Sequence, residues 1–216
     1  METVHIKLKT IGLSITLILV VEWLAVLLNN HWAAPIPIVG GARGMEILLL
    51  LGICRITEPG GIQALGIFPE KFQSGLFRGF VWSAGFGLMV ILVAGILLLA
   101  GVNPVALISA NLPTTQPGLF YFLVVGGILS PVAEEIFFRG LIYGYFRRWG
   151  MWTALLLSTA VFVMAHAIFQ WIPLPQIVGG ILFAAAYEKE KNLMVPITIH
   201  ILGNLAIFTL ALVRLA

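Results

Sequence analysis

Glu134 and Glu135 stand side by side in the stretch Ser130-Pro-Val-Ala-Glu-Glu-Ile-Phe-Phe-Arg-Gly140. A carboxylate can hold a water and take its proton if no counter-ion occupies it. Arg139 falls four residues after Glu135, on the same helix face, and can neutralise and orient it. Glu134 is turned by about 100° from its neighbour and is left to face something else. Two further polar pairs repeat the four-residue spacing in apolar sequence, Phe162 with His166 and His200 with Asn204. A carboxylate and an imidazole can deprotonate a water, while a second imidazole and a carboxamide can donate hydrogen bonds to an oxyanion on an attacked carbonyl. These are the components for hydrolysing a peptide bond with no covalent intermediate. Ser130 and Ser158 lack the Gly-x-Ser-x-Gly context of an activated serine. The chain contains no His-Glu-x-x-His zinc helix and no Asp at all, which excludes an Asp-pair mechanism.

The elements that position these groups follow from composition. The 216 residues are 60% hydrophobic and 10% charged, with a mean hydropathy of +1.06; a soluble domain is about a quarter charged. Several stretches approach the roughly 20 apolar residues needed to span the hydrocarbon core, and the alternating strands of a β-barrel are absent. The chain reads as one all-α, polytopic membrane helical bundle over residues 1–216. Seven transmembrane helices are expected, at about 10–28, 37–55, 79–99, 118–143, 152–170, 175–188 and 194–213, the sixth being short. Residues 56–78 read as a loop with an interfacial amphipathic stretch. The apolar run after Lys7 and Lys9 is longer than a signal-peptide core of about 7–15 residues and contains Glu22, so it reads as an uncleaved first helix.

Basic residues set the expected topology. Lys7, Lys9, Arg55, Lys71, Arg78, Arg147, Arg148, Lys189 and Lys191 fall on one side and only Arg43 and Arg214 on the other, which predicts an N-in, C-out arrangement. Charges distributed in this way serve topology, and no nucleic-acid partner is expected. Glu134 lies 13 residues before Arg147 and His166 14 residues after Trp152, about 20 Å into the bilayer in each case. His200 and Asn204 lie roughly 9–15 Å into the last span. The three clusters can therefore meet in the membrane interior, where ionisable residues are costly and usually functional.

Other features read as structural. Glu46 can pair with Arg43 across one turn, and Glu22 faces the bundle interior or a water-filled entrance. The Trp residues, Trp171 among them, read as an interfacial belt. Cys54 reads as a small apolar core residue, and Glu188-Lys-Glu-Lys191 as a solvated loop.

The order Glu-Glu-x-x-x-Arg, Phe-x-x-x-His, His-x-x-x-Asn on successive helices resembles the CPBP intramembrane proteases, which include type II CAAX prenyl endopeptidases and the Abi relatives. The resemblance covers residues 118–213, the expected catalytic helices. It implies an integral, multi-pass protein of a prokaryotic cell membrane. Glu134 would be the general base, helped by His166; His200 and Asn204 would form the oxyanion site; Glu135, Arg139 and Phe162 would support them. The implied substrate is a membrane-embedded peptide or lipidated protein in the lipid bilayer. The favoured mechanism requires no cofactor. A metal-dependent version would use a divalent ion on Glu134, His166 and His200. A non-catalytic immunity protein, or a proton-coupled transporter using the same buried carboxylates, is the alternative function.

Overall fold

In lipid, backbone N–H and C=O groups must be satisfied within the chain, so an apolar sequence of this length folds into helices. The computed structural model describes residues 5–32, 35–104, 112–166 and 173–215, and no strand occurs among them. The helices are α1 (Leu8–Trp32), α2 (Pro35–Thr57), α3 (Phe72–Leu99), α4 (Gln116–Trp149), α5 (Met151–Ala165), α6 (Leu174–Glu190) and α7 (Met194–Leu215). Among these, α1, α2, α3, α4 and α7 are long and apolar enough to cross a membrane. Helix α5 has 15 residues and α6 has 17. At about 1.5 Å per residue both fall short of a hydrocarbon core of about 30 Å. The all-α polytopic bundle is as the composition requires, and the chain is a multi-pass integral membrane protein.

Several boundaries differ from expectation. Helix α3 begins at Phe72, well before position 79, after two short 3-10 turns at Gly61–Leu65 and Pro69–Lys71. Helix α5 stops at Ala165, so His166 caps its end rather than lying mid-helix. The remainder of the expected 152–170 span, and Trp171, lie outside the described residues. The run expected to be a solvated loop is helical through Glu190. There Arg147 makes a two-pronged bond to Glu188 at 3.0 Å, and the Tyr143 hydroxyl donates to the same carboxylate at 2.5 Å. Glu190 accepts from Arg78 and, at 3.1 Å, from the Trp82 indole. These contacts fasten the ends of α3, α4 and α6 together. The sequence pattern of alternating charges suggested solvation because it does not reveal which partners lie across the bundle.

Arg43 falls within the expected second span. It lies inside α2, where it bonds Glu46 at 2.5 Å and also pairs with Glu22 of α1. The expected Arg43–Glu46 pair is present, and one guanidinium links two carboxylates across the α1–α2 contact.

Helix α7 is the central strut. It packs against α3 and α6 and also meets α4. The approach to α3 depends on Gly75 and Gly79, which are buried one turn apart. A Cβ on Gly79 would lie 2.5 Å from the Thr198 Cβ, inside its van der Waals envelope. Small residues at four-residue spacing allow such helices to meet closely within a membrane.

Candidate active site

Helix α4 departs from α-geometry where the site is built. Two π-helical segments, Val125–Leu129 and Ile136–Tyr143, flank the α-helical piece Ser130–Glu135. Pro131 provides the local cause of the first. It lacks the N–H that would bond to Gly127, and its ring crowds the preceding turn. The Ser130 N–H instead reaches back to the Val125 carbonyl. That register leaves the Gly126 carbonyl, the ordinary α-helical partner of Ser130, without its usual donor. Asn204 of α7 supplies one from Nδ2 at 2.9 Å.

The α-helical piece carries both glutamates. Glu135 and Arg139 are fully buried and bonded through Arg139 Nη1 at 2.8 Å. Arg139 also donates from Nη2 to the Gly180 carbonyl of α6 at 3.3 Å. Three aromatic rings surround the guanidinium, with Phe162 at 4.5 Å, Phe183 at 5.1 Å and Phe138 at 6.0 Å from its central carbon. Within about 6 Å of a ring face, a cation in an apolar setting is attracted to the ring electrons.

Glu135 has a second partner. His200 donates from Nδ1 to the same carboxylate oxygen, Oε1, at 2.8 Å. The His200 ring is stacked on Phe183 at a centroid distance of 4.6 Å. With Nδ1 engaged, Nε2 turns toward Glu134 and lies 3.8 Å from its Oε2. His166 converges from α5, placing its Nε2 3.4 Å from the same oxygen. Its Nδ1 bonds the Phe162 carbonyl at 2.8 Å, and its ring packs on Phe162 at 4.4 Å. Phe162 therefore orients His166 through both its carbonyl and its ring.

This arrangement fixes hydrogen positions by elimination. A carbonyl only accepts, so the His166 Nδ1 carries a hydrogen, and the carboxylate of Glu135 demands the same of His200 Nδ1. In their neutral forms both imidazoles then present an Nε2 lone pair to Glu134. Glu134 Oε2 is itself buried with no hydrogen-bond partner among the described residues. Three acceptors thus converge on one point, an arrangement that needs a donor between them, such as a water or a proton on one imidazole.

The structure brings Glu134, Glu135, Arg139, Phe162, His166 and His200 into one cluster, as the depth argument anticipates. Asn204 joins through α4, bonding the carbonyl released by the π-segment. Phe138 and Phe183 have no separate sequence signal, although Phe138 adjoins Arg139. The alternative metal ligands are Glu134, His166 and His200, but among the described residues no group of three or more His, Cys, Asp or Glu is placed to hold a metal ion. No step below is routed through one.

The multi-pass helical bundle gathers two carboxylates, two imidazoles and a guanidinium in one cluster, and ionisable residues within membrane spans are functional-site candidates. Residues 116–206 match the family described as Type II CAAX prenyl endopeptidase Rce1-like. The resemblance drawn from the three motifs is thereby borne out. The membrane-embedded CAAX protease MroQ of Staphylococcus aureus (strain USA300) is 36% identical over 93 residues, covering 40% of this chain and 36% of that protein. An uncharacterized 24.3 kDa protein of Escherichia coli is 24% identical over 182 residues, covering 81% of this chain and 68% of the relative. The chain thus aligns with only about a third of the protease's length. No solved structure matches. The family supports a membrane peptidase.

Proposed function

We propose that the chain is an intramembrane endopeptidase in which Glu134 activates a water that hydrolyses a membrane-embedded or lipid-linked peptide. The observation that carries this reading is the convergence of His166 Nε2 and His200 Nε2, at 3.4 and 3.8 Å, on an otherwise unpartnered Glu134 oxygen. Glu134 takes a proton from water as the water oxygen attacks the scissile carbonyl carbon. The tetrahedral intermediate collapses, the C–N bond breaks, and the proton passes from Glu134 to the departing amine. His166 holds the water through Nε2.

Charge balance assigns a role to His200. Two ionised glutamates and Arg139 leave one negative charge, which is costly at this depth. One proton on an imidazole makes the cluster neutral. On His200 that proton sits at Nε2, countered by Glu135 through Nδ1, and can be donated to the oxyanion. Asn204 Nδ2 carries two hydrogens, so the bond to Gly126 leaves one for the same purpose. Glu135 and Arg139 position His200. An N-in, C-out topology is part of this reading, supported by the basic residues at the α4 and α6 ends.

Comparative peptidomics of membranes carrying wild type or Glu134→Ala tests the proposal and identifies the substrate. Peptides accumulating uncut in the variant are expected, whether prenylated CAAX tails, bacteriocin leaders or sorting-signal tails. Identical peptide lengths in both membranes would leave the transporter or immunity reading in its place. Cleavage is further expected to survive exhaustive chelation; loss on chelation and return on adding zinc would replace this mechanism with a metal-dependent one.

A further inference from the structure

Helix α3 is the most lipid-exposed of the long helices: its most apolar stretch has no buried residue. Along one side of it Phe77, Val81, Trp82, Phe86 and Met89 recur at helical spacing and form one wall of a groove of about 620 Å³ against Leu182 of α6. That volume falls within the roughly 300–1,000 Å³ of small-molecule sites. Gly85 interrupts this row of large side chains, and no atom lies within 4 Å of where its Cβ would be. The glycine therefore makes a notch in the wall, and no neighbouring side chain fills it.

The mouth of the groove is charged. Arg78, Lys189 and Glu190 line it. Both Glu190 oxygens are engaged, one by Arg78 and the other by the Trp82 indole. Burial works against the ionised form of Glu190, but Trp82, Arg78 and Lys189 hold its carboxyl below the ordinary carboxylate range. Lys189 rides over the Trp82 ring at 5.6 Å. With Glu190 ionised, the three groups leave one positive charge in excess. The Arg78 side chain is 58% exposed, so it can reach a further anion. From Arg78 to Met89 the groove runs 11 residues along the helix, about 16 Å of apolar wall beneath a cationic rim. Basic pockets between transmembrane helices at a membrane face suit anionic lipid headgroups.

We propose that the α3–α6 groove is a binding site for one anionic phospholipid, its phosphate held by Arg78 and Lys189 and an acyl chain lying over Gly85. The site goes beyond the peptidase reading and does not depend on it. It nevertheless adjoins the candidate active site. Trp82 and Leu182 pack against the cluster containing Phe138, Phe162 and Phe183, and Phe183 carries the His200 ring.

The test is native mass spectrometry of the purified chain with dioleoyl phosphatidylglycerol or dioleoyl phosphatidylcholine. Wild type is expected to retain one phosphatidylglycerol about tenfold better than phosphatidylcholine. Gly85→Leu places its Cβ where no protein atom lies within 4 Å, fills the notch, and is expected to abolish that retention. Arg78→Gln with Lys189→Gln is expected to remove the preference between the two lipids. Met89→Trp repeats the blocking test at the far end of the groove, should Gly85→Leu fail to fold. Equal retention of both lipids by wild type would overturn the proposal. So would undiminished phosphatidylglycerol retention in a folded blocking variant, or a second copy of the chain captured on this face in place of lipid.

Discussion

Replacing Glu134 by Gln is expected to lower peptide cleavage by about 10²–10⁴-fold, the usual contribution of a positioned general base, with no loss of thermal stability. Gln keeps the shape of the side chain and an oxygen that can accept a hydrogen bond, but it cannot hold the proton taken from water. Glu135 cannot take over. Its Oε1 lies between Arg139 Nη1 and His200 Nδ1, each at 2.8 Å, and its side chain is fully buried. The stability expectation follows from the same charges. Glu134 makes no ion pair with Arg139, and when its negative charge is removed the imidazole can release its proton, so the cluster stays neutral. The measurement is the cleavage rate of a substrate identified by peptidomics, alongside the melting temperature, for both proteins in the same detergent. A variant retaining more than about a tenth of the rate would move the base away from Glu134. A variant that is slow only because it melts would show the position to be structural.

The asymmetry of the two glutamates was legible because it depends only on local helix geometry. Four-residue spacing pairs Glu135 with Arg139, and the intervening turn sends Glu134 elsewhere. The meeting of three clusters was also legible, since span positions fix depth. What the sequence conceals is rotation of one helix relative to another. The His200–Glu135 bond requires α7 to present position 200 to the face of α4 that holds Arg139, and no spacing within either helix determines that. The same reason hides the Arg78–Glu190 and Arg147–Glu188 pairs, so a fastened helix end resembles a solvated loop. Asn204 is intermediate. Gly126-Gly127 followed by Pro131 signals a disturbed helix and a freed carbonyl, but not which side chain will reach it. The early end of α5 had no such signal, because the residues that follow His166 are apolar enough to read as continuing helix.

Replacing Arg139 by Leu is expected to destabilise the protein by about 3–5 kcal/mol, the usual cost of removing one partner from a buried ion pair. Arg139 and Glu135 are both 0% exposed, so neither can regain water when the other is lost. The variant also forfeits the guanidinium contacts to Phe162 and Phe183 and the bond to the Gly180 carbonyl. Its melting temperature, or its midpoint in denaturing detergent, should fall accordingly. Adding Glu135→Gln in the same chain removes the stranded charge and should recover much of the stability, because a buried pair is often replaceable by neutral groups of similar size. Cleavage should not recover with it. Without the carboxylate, His200 loses the countercharge that lets it carry a proton at Nε2. Without the guanidinium, the rings that seat His166 and His200 lose their common anchor. Recovery of stability without recovery of activity separates a residue that only holds the bundle together from one that positions its chemistry. A double variant that regained both would reduce Glu135 and Arg139 to a packing pair and leave His200 to act without them.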